Sequence, residues 1–292
     1  MVAENKEQKT TKKKQSVEEK SKPSTEEKKS VKSLKSRFDM RAKENHKMTV
    51  GALLGWAFLM ALWVGVVLIG VQYALAYLIS AMHLQVSEIV LQTIFSALVY
   101  VVALLVIIFV PWKLLKMKTT REELGMRGLP TWTDILLAPI AFIVFLIASG
   151  FIMAVMQAIM PSIDWTQEQD VGFNNIISNL DFVLTFLSLV VIAPIAEEII
   201  FRGWLYGKMR RKMSAVPAIL IVSLLFGLVH GQWNVGVVVF TMSIAMCLIR
   251  ELTGTIWGGI LVHMIKNGLA FYALYVNPGL FGAISGMLIL AL

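Results

Sequence analysis

Residues 49–87 read TVGALLGWAFLMALWVGVVLIGVQYALAYLISAMHLQVS and contain no Asp, Glu, Lys or Arg. A helix needs about 20 apolar residues to cross the hydrocarbon core of a bilayer, so this run alone is long enough. A helix lying on a membrane surface carries a charged face, and this run has none. The pattern recurs along the chain. Hydrophobic residues make up 57% of the sequence and charged residues only 16%, too few charges to cover a soluble domain of this length. Apolar segments lie near 50–79, 89–110, 135–160, 182–207, 215–231, 235–249, 256–275 and 279–292, the last of them short. The expected fold is all-α: a polytopic membrane helix bundle over residues 49–292, with about eight transmembrane helices of spanning length.

The charge is unevenly placed. Residues 1–48 hold 15 Lys/Arg against 8 Asp/Glu, whereas the rest of the chain holds 12 against 11. The net charge of +8 therefore belongs to the tail, and a nucleic-acid partner is not expected. Residues 1–45 are rich in Lys, Glu, Ser, Thr and Gln and cannot bury enough surface to offset their ordering entropy. A disordered, basic, cytosolic tail over 1–48 is expected. Attraction to anionic lipid is worth roughly 1 kcal/mol per Lys or Arg near the surface, but the interspersed Glu residues weaken it. A solvated tail that fixes topology is the plainer reading. A cleavable signal peptide is not expected after so long a polar start, and the first helix is read as an uncleaved anchor. The single cysteine, Cys247, lies in an apolar stretch and reads as a small core residue.

With the N-terminus in the cytosol, Lys113, Lys116, Lys118, Arg121 and Arg127 fall inside, as do Arg202, Lys208, Arg210, Arg211, Lys212 and Arg250. The outer loops near 80–88, 161–181, 231–235 and 276–279 contain no Lys or Arg. This asymmetry follows the positive-inside rule and predicts a cytosolic N-terminus in a cell membrane.

Three segments place ionisable groups inside the bilayer, where each costs at least about 2.5 kcal/mol and marks a candidate site. The first is Ala193-Pro194-Ile195-Ala196-Glu197-Glu198-Ile199-Ile200-Phe201-Arg202-Gly203. Adjacent helical residues point about 100° apart, so Glu197 and Glu198 serve different purposes. Glu198 and Arg202 are spaced to pair on one face, which leaves Glu197 to a neighbouring helix. Pro194 removes one backbone bond and is expected to bend the helix. Repulsion and desolvation are expected to raise one carboxyl pKa, as suits a general base. The second segment ends Phe226-Gly227-Leu228-Val229-His230, and the third is His263-Met264-Ile265-Lys266-Asn267. A lone His at a helix end is commonly structural. However, a rise of about 1.5 Å per residue puts Glu197, His230 and His263 in the same middle band of the membrane. Lys266 is expected to snorkel toward solvent or lipid, with a substrate carboxylate as the other partner it could take.

At these residues the chain resembles the intramembrane protease family that includes the CAAX prenyl proteases of the second type and bacteriocin-immunity proteins. The pattern is Glu-Glu-x-x-x-Arg (Glu197, Glu198, Arg202), then Phe-x-x-x-His (Phe226, His230), then His-x-x-x-Asn (His263, Asn267). The likeness spans roughly 182–271, the expected protease core. It implies hydrolysis of a peptide bond in a membrane-associated protein or peptide. Glu197 and His230 would activate water, His263 and Asn267 would stabilise the oxyanion, and Glu198 with Arg202 would hold the geometry. Two mechanisms remain open. One is a glutamate protease without metal. The other is a zinc enzyme with Glu197, His230 and His263 as ligands and an open position for water. Asn is a poor zinc ligand, which favours the first. A transporter or immunity protein that binds without cutting is the rival reading, although no two-fold repeat of the transporter kind is visible.

Overall fold

The computed structural model describes residues 49–82, 86–167, 169, 171–173 and 176–277. The tail 1–48 and the last apolar segment, 279–292, lie outside the described residues. Among the described residues there is no strand, and six helices are long and apolar enough to cross a membrane. These are α1 (Val50–Ala81), α2 (Glu88–Leu115), α4 (Trp132–Ile159), α5 (Asn179–Arg210), α7 (Trp233–Thr253) and α8 (Trp257–Val276). A short helix, α3 (Arg121–Leu124), interrupts the loop after α2.

The remaining apolar segment differs from expectation. Helix α6 runs only over Ala215–Leu228, about 21 Å by helical rise and short of the hydrocarbon thickness of about 30 Å. The chain then turns through residues 229–232, where Gly231 takes a φ of +73° that suits glycine. His230 is therefore in a turn rather than in the helix. Irregular backbone at membrane depth is tolerated where protein surrounds it, and α7 packs closely along α6. Gly227 and Gly236 make that crossing tight: a Cβ on Gly227 would stand 2.7 Å from the Gly236 carbonyl oxygen.

Polar residues at the helix ends do the capping. The Thr131 hydroxyl accepts from the Asp134 N–H while the Asp134 side chain accepts from Thr131, and Ser178 and Asp181 repeat the box at the start of α5. Each box satisfies donors that a helix N-terminus leaves open. Large apolar side chains such as Phe58, Leu136, Ile147 and Phe151 stay exposed on the outer helix faces, the surface a bilayer would cover.

Helix α5 is not a plain α-helix. It is π-helical over Leu187–Ile192 and again over Ile199–Leu205, with an α-helical stretch, Ala193–Glu198, between. The wide turn precedes Pro194, where a proline ring otherwise collides with the carbonyl four residues back. Widening the helix accommodates the ring. Single π turns inside α-helices are frequent at functional sites, and here two of them bracket Glu197 and Glu198.

The basic residues gather at one end of the bundle. Lys208 Nζ lies 2.9 Å from Glu123 and 2.6 Å from the Lys118 carbonyl oxygen. Arg210 pairs with Glu251 through Nε at 2.6 Å. Short α3 fits against α5 because Gly207 has no side chain; a Cβ there would stand 2.8 Å from the Glu123 carbonyl oxygen. Arg250 donates to the Gly254 and Glu123 carbonyls and so ties α7 to α3. Arg202, expected at this rim, is instead fully buried beside Glu198. At the other end, Asn234 donates to the Gln167 carbonyl at 2.6 Å and Tyr275 to the Phe173 carbonyl at 3.0 Å, fastening the loop between α4 and α5 over α7 and α8.

Candidate active site

Glu198 is fully buried and bonded to Arg202 Nη1 at 2.7 Å through Oε1, the i, i+4 pair that the spacing predicts. Its bulk is accommodated by Gly259 on α8, where a Cβ would stand 2.7 Å from Glu198 Oε2. The Arg202 guanidinium lies over the Phe226 ring, 4.3 Å from its centroid, a cation–π contact strengthened by exclusion from water. The same ring meets His230 edge-on at 5.0 Å and His263 at 5.9 Å. Phe226 is thus the hub that holds the ion pair and both imidazoles.

His263 lies between the two carboxylates. Its Nδ1 is 3.4 Å from Glu198 Oε1 and its Nε2 is 3.8 Å from Glu197 Oε2. These are contacts rather than tight hydrogen bonds. His230 Nδ1 is 2.7 Å from the Phe226 carbonyl oxygen. A carbonyl only accepts, so Nδ1 carries the hydrogen and the Nε2 lone pair is left to accept a proton. The Asn267 amide donates to the Leu189 carbonyl at 2.8 Å. Leu189 lies in the first π turn of α5, so Asn267 binds α8 to the widened part of α5. An amide nitrogen has two hydrogens, and this bond uses one.

Glu197, Glu198, Arg202, His230 and His263 are therefore linked in one cluster, contributed by α5, the turn after α6, and α8, while Asn267 of α8 reaches the Leu189 carbonyl of α5. Two further residues join them. Tyr100, on α2, donates its hydroxyl to Glu197 Oε1 at 2.6 Å. Its signal was a weak one: Gln92, Ser96 and Tyr100 recur every four residues and mark a polar face on an otherwise apolar helix. Lys266, expected to face solvent or lipid, is half-buried and interacts electrostatically with both Glu197 and His230. It faces inward, one residue before Asn267.

Among the described residues, no three His, Cys, Asp or Glu side chains are grouped to hold a metal ion. Glu197, His230 and His263 share the cluster, but they do not converge as a ligand triad. Asn267 offers N–H hydrogens, and its amide is engaged with backbone.

Residues 179–269 match the family model described as type II CAAX prenyl endopeptidase Rce1-like, and this stretch contains every motif residue described above. Over this stretch the chain is similar to the CAAX protease family. It is 29% identical over 132 residues to the putative membrane peptidase YdiL of Bacillus subtilis (strain 168), covering 43% of this chain and 53% of that one. It is 28% identical over 94 residues to the membrane-embedded CAAX protease MroQ of Staphylococcus aureus (strain USA300), covering 30% of this chain and 38% of that one. It is also 27% identical over 127 residues to the UPF0177 protein YxdF of Lactococcus lactis subsp. lactis (strain IL1403), covering 44% and 66%. The chain thus spans between 38% and 66% of the length of these relatives. No solved structure matches it. Tyr100 lies outside the matched residues 179–269, on a helix that the family model does not cover.

Proposed function

We propose that the chain is an intramembrane endopeptidase that cuts a membrane-associated peptide or protein, with Glu197 as the base that activates water. The observation that carries this reading is the placement of the Glu197 carboxylate, with Oε1 held by Tyr100 and Oε2 turned toward His263. A carboxylate anchored through one oxygen keeps the other available to accept a proton.

In this reading a water proton passes to Glu197 Oε2 as the water oxygen attacks the scissile carbonyl carbon. The carbonyl π electrons move onto oxygen. His263 and the second Asn267 hydrogen donate to that oxyanion, and such a donor is typically worth roughly 2.7–4 kcal/mol in the transition state. On collapse, the proton goes to the departing amine nitrogen. The Nε2 lone pair of His230 supports water alignment from the other side. Glu198 and Arg202 hold the π-helical segment and the His263 ring in register. This route uses no metal ion, and zinc held by Glu197, His230 and His263 is the competing mechanism. The proposed setting is the cell membrane, with the N-terminus and the basic end of the bundle in the cytosol.

The test uses purified chain in proteoliposomes with a membrane-embedded peptide. Wild type is expected to cleave it, and Glu197→Gln is expected to lose cleavage while keeping its thermal unfolding profile. Proteolysis by purified Glu197→Gln protein would overturn the assignment. Metal analysis of the active preparation separates the two mechanisms. Peptide uptake into the vesicles without cleavage would support the transporter reading.

A further inference from the structure

Helix α2 contributes one group to the reaction centre, and it is a tyrosine in mid-span. Tyr100 stands 12 residues after Glu88 and 13 before Lys113, the nearest charged residues on either side, which puts each about 18–20 Å away along the helix axis. A hydroxyl at that depth needs a partner, and this one donates to Glu197 Oε1 at 2.6 Å. Oε2 of the same carboxylate is buried and has no hydrogen-bond partner. The nearest cationic or imidazole nitrogen to it is His263 Nε2, at 3.8 Å.

The two oxygens of Glu197 are therefore unequal. We infer that Tyr100 is a positioning residue for the hydrolytic reaction, fixing Oε1 so that Oε2 is the oxygen that takes the proton from water. This rests on the protease reading above and adds to it a residue outside the three sequence motifs. Without the phenol, the carboxylate plane is free to rotate about its terminal torsion, which is broad and roughly two-fold. It then samples orientations in which neither oxygen faces the water. Ordering of a base within hydrogen-bond reach governs how often a bound substrate is productive. It does not govern how tightly the substrate binds. The loss belongs in kcat.

The experiment compares wild type, Tyr100→Phe and Glu197→Gln in proteoliposomes, with kcat and KM measured separately on one membrane peptide. Tyr100→Phe keeps the ring and its packing. Its kcat is expected to fall roughly 10- to 100-fold, the weight of one hydrogen bond to a charged group, with KM and the thermal unfolding midpoint close to wild type. Rescue is not expected from Tyr100→Leu, which restores no donor. In parallel, the infrared carboxylate band that disappears in Glu197→Gln is expected to shift in Tyr100→Phe. Wild-type kcat in Tyr100→Phe beside an inactive Glu197→Gln overturns this inference and leaves the protease reading standing. An unshifted carboxylate band also overturns it, and this readout holds even where turnover is low. Absence of cleavage by the wild-type chain overturns the protease reading and this inference together.

Discussion

At the scale of single residues, the cluster depends on side chains that are missing as well as on those present. Glu198 and Arg202 are both fully buried, and removing one partner of such a pair leaves an uncompensated charge, typically at a cost of about 3–5 kcal/mol. Their geometry leaves no slack on the α8 side, because Glu198 Oε1 is held by Arg202 and Oε2 faces Gly259. Gly259→Ala is expected to destabilise the protein by about 1–3 kcal/mol through overpacking. It is also expected to displace His263, which lies one helical turn further along α8. The measurements are the thermal unfolding midpoint in detergent and cleavage rate; an unchanged midpoint with full activity would show that Glu198 moves aside freely. Cys247 is buried, as its apolar setting predicts.

At the scale of helices, two devices aim the reactive groups. The first is the pair of π turns in α5, which accommodates Pro194 and presents the Leu189 carbonyl to Asn267. The expected bend at Pro194 is thus a local widening of the helix. The second is the tight crossing of α6 and α7 at Gly227 and Gly236. Small residues let helix backbones approach closely in a membrane. Gly227→Leu is expected to force the two helices apart and to move His230, three residues on. Activity is expected to fall at least as far as it does in His230→Ala, with a lower unfolding midpoint as well. If Gly227→Leu keeps wild-type turnover, the crossing does not position His230.

At the scale of the whole molecule, the charge distribution gives the bundle its polarity. The ion pairs Lys208–Glu123 and Arg210–Glu251 and the Arg250 contacts lie together at one end. The loop between α4 and α5 closes the other. With the basic end in the cytosol, a cysteine placed at Ser162 is expected to react with an impermeant thiol reagent added outside intact cells. One placed at Lys212 is expected to react only after the cells are opened. Native Cys247 is buried and contributes little background. The reverse labelling pattern would invert the topology.

The run from Thr49 to Ser87 and its successors were enough to predict an all-α membrane protein, because an uninterrupted apolar stretch of that length has no other stable setting. The i, i+4 spacing was enough to pair Glu198 with Arg202, since helical geometry alone brings them onto one face. Six of the expected spans were legible in this way. Helix α6 was not, because its apolar sequence continues through Val229 while its backbone stops at Leu228, and only the packing against α7 sets that end. Tyr100 on Glu197, Gly259 beneath Glu198, Asn267 on Leu189 and the inward turn of Lys266 were decided by the tertiary structure. Periodicity states which face of a helix is polar, whereas the partner that face meets depends on how neighbouring helices rotate and cross. Those are properties of packed surfaces, and no single segment of the chain contains them.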